Sequence, residues 1–137
     1  MNWVSHGKSP EVTVLMSCYN ASCWLHEAIA SVLKQTFENF EFILVDDGST
    51  DDTWDIIQAY RDRDQRIVAI KKSNTGLTDS LNVGIAHARG AWIARLDADD
   101  RCEAGRLAEQ VRFIHRFDSP PGAFEEVLTA FIGIFQT

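Results

Sequence analysis

The sequence predicts an α/β fold, a mostly parallel, Rossmann-like sheet flanked by helices, and three observations carry that prediction. Four short runs rich in apolar and β-branched residues recur along the chain. Each is followed by apolar residues at helical spacing. The connections are too short for anything but crossover units, which place strands side by side and parallel with helices on the faces.

The first strand is Glu11–Ser17 (EVTVLMS), which meets Tyr19-Asn20 and leads into a helix whose stripe is Leu25, Ala28, Ile29, Val32 and Leu33. The second, Glu41–Val45 (EFILV), is nearly continuous in apolar character, as suits a parallel strand covered on both faces, and ends in Asp46-Asp47-Gly48. Ser49 or Thr50 then offers a cap, and Asp51 and Asp52 sit where a helix dipole favours negative charge. Trp54, Ile57 and Tyr60 continue the stripe. Arg66–Lys71 (RIVAIK) reads as the third strand, followed by Leu77, Leu81, Ile85 and Ala88 at helical spacing, with Gly90 placed as the residue that ends the helix. Trp92–Leu96 is the fourth strand, and Leu107, Val111 and Ile114 mark a fourth helix reaching about Arg116. Pro120 and Pro121 break the chain, and Phe124, Val127, Leu128, Phe131, Ile132 and Phe135 then form an apolar stripe that predicts a C-terminal helix.

Composition narrows the function. The 137 residues carry 13 basic and 20 acidic side chains, a net charge of −7, with no basic stripe to neutralise a phosphate backbone, so nucleic acid is a poor partner. No run of about 18 apolar residues offers a membrane span, and the opening MNWVSHGKSP lacks the apolar stretch of a secretory signal. A cytoplasmic location is the expectation. Cys18, Cys23 and Cys102 are odd in number and lack metal-ligand spacing, so they are read as free thiols. The four histidines form no ligand spacing, and the tryptophans are read as packing residues. Neither a phosphate-binding glycine fingerprint nor a P-loop follows the first strand, where SCYNAS stands instead.

The acids remain. In open α/β sheets ligands bind beyond the carboxyl ends of the strands, and here those ends carry Ser17 to Asn20, Asp46-Asp47 and Asp97-Ala98-Asp99-Asp100. In extended backbone Asp97 and Asp99 point to one side, about 6–7 Å apart along the chain. Two carboxylates brought to about 4 Å repel by roughly 4 kcal/mol at an effective dielectric near 20, a cost that a divalent cation removes. Oxygen ligands without neighbouring His or Cys favour magnesium or manganese over zinc. The alternative is that the acids only cap the following helix. An EF-hand is excluded by Arg101, Cys102 and Ala104. A phospho-acceptor receiver domain is excluded because the first strand ends in SCYN and the third in KKSN.

In order and in register, VTVLMSCYNAS, QTFENFEFILVDDGSTDDT, NTGLTDSLNVGIAHARG and WIARLDADD resemble glycosyltransferase family 2 with the GT-A fold, over about residues 10–116. The resemblance implies that residues 1–117 form a nucleotide-sugar-binding donor domain. Ser17 and Tyr19 match positions that line the base pocket, and Asp47 matches the acid that accepts a hydrogen bond from the base. Asp97 matches a position near ribose and metal, and Asp99 the ligand of the Mg2+ or Mn2+ that bridges the diphosphate. Family habit favours a UDP-sugar as donor and leaves the acceptor unknown. The family's reaction is a single displacement with inversion, assisted by a carboxylate base that lies downstream in relatives. Residues 118–137 show no resemblance, so the chain is read as a truncated donor domain without efficient transfer of its own. A non-catalytic nucleotide-binding module is the alternative. Truncation would leave an open edge on the fourth strand, hence an expectation of self-association unless the tail covers it.

Overall fold

The structure, a computed structural model, describes residues 9–116 and the backbone of 134–136. Four strands and four helices alternate: β1 (Val12–Cys18), α1 (Leu25–Leu33), β2 (Phe40–Asp47), α2 (Thr53–Arg61), β3 (Ile67–Lys72), α3 (Leu77–His87), β4 (Trp92–Arg95) and α4 (Arg106–Arg116). A last short strand, β5 (Ile134–Gln136), follows, and the sheet order is β3-β2-β1-β4-β5. The β1–β2, β1–β4 and β2–β3 pairs are parallel, as the crossover argument requires.

Period-two alternation sorts the strands into two faces. Val12, Val14, Met16, Phe40, Phe42 and Leu44 pack with Leu25, Ile29, Ile57, Leu107 and Val111, so α1, α2 and α4 share one face. Leu15, Ile43, Val45 and Ile93 turn the other way, with Leu81 of α3 and Ala88 just past its end against them. All eight residues of β2 are buried, which accounts for its continuous apolar reading.

Three expectations are corrected. The buried face of α3 is Ser80 and Gly84, whereas Leu77 and Ile85 are 51% and 46% exposed. The reason is close approach: a Cβ on Gly84 would lie 2.2 Å from Leu15 Cδ1, so small residues seat this helix on the sheet, with Leu81 packing beside them. Gly90 does not end α3 in a left-handed conformation. Its place is against β1, where an added Cβ would lie 2.5 Å from Thr13 N and where its own N–H donates to Thr13 Oγ1 at 3.0 Å. Among the tryptophans, Trp54 and Trp92 pack against the core but Trp24 is exposed, and Trp3 lies outside the described residues.

The C-terminal helix falls mostly on residues 117–133, outside the described residues. Its last part, including Phe135, is strand: β5 pairs antiparallel with β4, matching Ile93 with Phe135. An unpaired strand edge supplies a row of free backbone donors and acceptors, and the β-branched and aromatic pair Ile134-Phe135 suits a strand there. The outer edge of β4 is thus covered within the chain. Among the described residues no helix is long and apolar enough to cross a membrane.

At the amino edge, buried Glu41 accepts from Thr13 Oγ1 at 2.7 Å and from Arg89 N and Nε at 2.6 and 2.9 Å. This network fastens the α3–β4 connection to the sheet and so fixes where β4 begins.

Candidate functional site

Because β2 and β3 lie to one side of β1 and β4 to the other, the strand order reverses between β1 and β4, and in open α/β sheets it is beyond the carboxyl ends at such a reversal that ligands bind. Three loops border that edge.

The first two are laced together. Asn20 adopts φ 47°, a left-handed conformation that its short amide tolerates, and its Oδ1 accepts from Thr50 N at 2.8 Å. Asn20 N donates to Ser49 Oγ at 3.0 Å, and Ser49 Oγ donates in turn to Asp46 Oδ1 at 2.5 Å. Asp51 accepts from Ser22 N at 3.2 Å and from Thr53 N at 3.0 Å. The small burial of Asp51 works to raise its carboxyl, but bonds from Thr53 and Ser22 outweigh that and hold it at about 2. Asp51 thus serves the start of α2 and the loop above α1, while the capping position of α2 is Asp52 and not Ser49 or Thr50 as the sequence suggests. With this bracing, Tyr19 stands 53% exposed just beyond the end of β1, and Ser17 lies half-buried one strand position from Cys18. Cys18 itself is buried, and burial together with nearby Asp46 pushes its thiol up to about 12, so it is an inert core group.

The two acids that end β2 part company because side chains alternate. Asp46 turns toward α1 and α2 and is fully buried, its Oδ2 having no hydrogen-bond partner. Asp47 turns toward α3. Its Oδ1 accepts from Lys72 Nζ at 2.6 Å and from Thr75 N at 2.9 Å, and its Oδ2 accepts from Gly76 N at 3.0 Å. Burial works to raise the Asp47 carboxyl, but the Lys72 ammonium and the two loop amides prevail and hold it below the ordinary range. Lys72 also donates to Ser73 O at 2.9 Å, Thr75 Oγ1 at 2.5 Å and Ser80 Oγ at 3.4 Å. Asn74 Nδ2 donates to the Asp47 carbonyl at 3.0 Å. Gly48, at φ 72°, is needed here because a Cβ would meet Asn74 N at 2.5 Å.

The third loop is different. β4 ends at Arg95, so Asp97 to Asp100 form a turn, closed by Asp100 N donating to Asp97 O at 3.0 Å, and not the extended segment anticipated above. The turn brings Asp100 in with Asp97 and Asp99: one carboxylate oxygen of each lies within 4.8 Å of the others, and all three residues are exposed. Arg95 pairs with Asp97 at 3.1 Å. Gln35 holds the far end of this loop, donating to Glu103 O at 2.7 Å and accepting from Leu107 N at 3.0 Å. Three hard oxygen donors in reach of one another, with one basic partner among them, fit a divalent cation of the magnesium or manganese type.

The structure therefore places Ser17, Tyr19 and Asp47 on the β1–β2 side of the edge and gathers Asp97 and Asp99 on the β4 side. Sequence reasoning gave no part to Lys72, which bonds Asp47, and named Asp100 in the acidic cluster without grouping it with Asp97 and Asp99. Lys72 stands at the end of an apolar strand, where a lysine reads as solvent-facing, and the third acid of DADD counts only once the turn is known.

Comparison with known proteins agrees with this architecture. Residues 13–119 match the family Glycosyl transferase family 2. An uncharacterized glycosyltransferase of Haemophilus influenzae is 38% identical over 106 residues, covering 77% of this chain and 42% of its own length. The Escherichia coli UDP-Glc:alpha-D-GlcNAc-diphosphoundecaprenol beta-1,3-glucosyltransferase WfaP is 36% identical over 104 residues, 75% of this chain and 41% of WfaP. The chain thus spans about two fifths of the length of these relatives. Among solved structures, S. aureus TarS 1-349 in complex with UDP-GlcNAc aligns with a TM-score of 0.73 at 29% identity, over 77% of this chain and 31% of that one. The mannosyltransferase PcManGT from Pyrobaculum calidifontis shares the fold, with a TM-score of 0.73 at 24% identity over 82% of this chain and 34% of that one. On the family match, the relatives and the four-strand parallel sheet with its flanking helices, the chain belongs to glycosyl transferase family 2 and carries the N-terminal portion of a GT-A type fold.

Proposed function

We propose that this chain is the donor-binding part of a glycosyltransferase that holds a nucleoside-diphosphate sugar, in this reading a UDP-sugar, at the carboxyl edge of the sheet for transfer to an acceptor hydroxyl. The observation that carries the reading is the turn that gathers Asp97, Asp99 and Asp100 within 4.8 Å at the end of β4, next to the place where the strand order reverses. The names of similar proteins support the choice of donor, since TarS is described in complex with UDP-GlcNAc and WfaP as using UDP-Glc.

Each residue has a part in this reading. Tyr19 offers an exposed ring on which a base can stack, and Ser17 lines the same pocket. Asp47, ionised at neutral pH, accepts a hydrogen bond from the base. Asp97 and Asp99, joined by Asp100, would hold Mg2+ or Mn2+, which when bound supplies Lewis-acid stabilisation of the departing diphosphate. The transfer is a single displacement with inversion at the anomeric carbon, and the reading assigns the acceptor base to none of residues 9–116. A cytoplasmic location belongs to the same proposal, as does self-association, which the pairing of β5 on β4 leaves to the outer edge of β3.

The test is calorimetric titration of the purified chain with uridine diphosphate, with and without Mn2+, repeated on Asp99→Ala. Binding that requires the metal and weakens at least about tenfold in the variant is the expected result, corresponding to loss of one charge-assisted ligand. Metal-independent binding that Asp99→Ala leaves unchanged would remove the acidic turn from the donor site.

A further inference from the structure

The hydrogen-bond geometry around Asp47 bears on which base the pocket takes. A carboxylate has about four acceptor positions, two on each oxygen. Lys72 Nζ and Thr75 N occupy both positions of Oδ1, and Gly76 N takes one of the two on Oδ2. A single position is left. The residue is 3% exposed, so little of its surface is left for a ligand to meet. Nor does Lys72 have a donor to spare: its three ammonium hydrogens face Asp47, Ser73 O, Thr75 Oγ1 and Ser80 Oγ. The β1–β2 register ends at the pair Cys18 with Asp46, so Tyr19 follows directly where β1 stops, one residue on from the partner of Asp46.

We propose that Lys72, with the amides of Thr75 and Gly76, turns Asp47 into a single-acceptor reader, so that the pocket takes a base presenting one isolated imide N–H and rejects the others. The inference rests on the donor-site reading above and deepens it. Uracil and thymine present one such N–H between two carbonyls. Guanine presents N1–H and the N2 amino group side by side, a pair that needs both carboxylate oxygens in one plane, and Oδ1 is already taken. Cytosine and adenine place an unprotonated ring nitrogen toward the acid, lone pair against lone pair. Sites built to bond a ligand donor discriminate strongly because the mismatched ligand leaves buried groups unpaired. Lys72 acts through Asp47 and is a positioning residue.

The experiment titrates the 137-residue chain, at fixed Mn2+, with the diphosphates of uridine, thymidine, guanosine, cytidine and 3-methyluridine. Uridine or thymidine diphosphate is expected to bind, the two arms telling which pyrimidine is taken. The guanosine, cytidine and 3-methyluridine compounds are expected to bind at least about tenfold more weakly. In Lys72→Met, which frees an acceptor position on Oδ1, the guanosine-to-uridine ratio is expected to narrow to within about threefold, whereas a merely structural loss would weaken every ligand alike and keep the ratio. Equal binding of uridine and 3-methyluridine diphosphates, or of uridine and guanosine diphosphates, by the unmodified chain overturns the inference and leaves the donor site standing. An unchanged ratio in a folded Lys72→Met overturns the part given to Lys72. Binding of none of the five by folded protein overturns this inference and the donor site together. Should Lys72→Met not fold, the 3-methyluridine arm decides with the unmodified chain alone.

Discussion

Two acidic regions border the same edge of the sheet, and they are built in opposite ways. Asp47 is buried, met by a lysine 2.6 Å away and by two backbone amides, so its charge is compensated by its own chain before any ligand arrives. Asp97, Asp99 and Asp100 are exposed and crowded, with Arg95 on Asp97 as the basic partner. The first arrangement orders a loop: the carboxylate fixes residues 75 and 76 at the start of α3, and Gly48 lets that loop close over β2. The second arrangement leaves charge for something else to compensate. One side of the edge is preorganised and the other waits, the division that the proposed donor site calls for.

The comparison breaks most visibly in stability. Asp47→Ala removes the partner of an ammonium whose side chain is 14% exposed and leaves two loop amides unpaired. Breaking such a buried pair costs about 3 kcal/mol, the lower end of the usual range because Lys72 keeps Asp79 at 3.9 Å. Asp99→Ala is expected to change stability by no more than about 0.5 kcal/mol, with urea denaturation followed by circular dichroism as the measurement for both. Equal effects from the two substitutions would contradict the division drawn here.

Gly48→Ala is the next largest. It forces a side chain into φ 72° and drives a Cβ to 2.5 Å from Asn74 N, so the β2 and β3 loops must separate. A cost of about 1–3 kcal/mol is expected, again from urea denaturation, with uridine diphosphate affinity falling as well because the loop that orients Asp47 is displaced.

The division also explains what the sequence could and could not tell. Apolar runs and helical stripes located β1 to β4, α1, α2 and α4, since those elements are held by large side chains that leave a periodic record. α3 left a misleading one. Its closest approach to the sheet is through Ser80 and Gly84, which carry no hydrophobic signal, and of the apolar stripe Leu81 and Ala88 pack on the core while Leu77 and Ile85 stand exposed. The acids of the waiting region were legible because uncompensated like charge at a strand end is conspicuous in a sequence. The preorganised region was half legible: Asp47 could be named, but its pairing with Lys72 joins positions 25 apart and depends on the register of β2 with β3. β5 was invisible for a similar reason. Its pairing with β4 is a long-range contact, and the local spacing of Phe131, Ile132 and Phe135 reads as helix.

Acid sharpens the same contrast with a smaller effect. The carboxyls of Asp47 and Asp51 both lie below the ordinary value of 3.8, Asp51 at about 2. A group depressed on folding contributes stability that is present above its unfolded value and is lost as pH falls through the folded one. Melts taken between pH 5 and pH 2 should therefore lose stability progressively below about pH 4. Asp47→Asn should flatten part of that loss, and identical acid profiles for the variant and the unmodified chain would show that the Lys72 pairing contributes nothing to it.

A small effect on stability, and the most informative one about the waiting side, concerns β5. It covers β4 through only three residue pairs, Trp92 with Gln136, Ile93 with Phe135 and Ala94 with Ile134. Deleting residues 134–137 should cost no more than about 1 kcal/mol, because few backbone bonds are lost and water replaces them. The deletion nevertheless uncovers the free donors and acceptors of β4, a template on which a second chain can pair. Sedimentation in the micromolar range should then show more self-association than in the full chain. If the deletion leaves the association state unchanged, β5 is not what guards this edge. If the full chain already associates as strongly as the deletion, the contact lies elsewhere, and the outer edge of β3 is where pairing would be sought next, since no strand of the sheet lies beyond it.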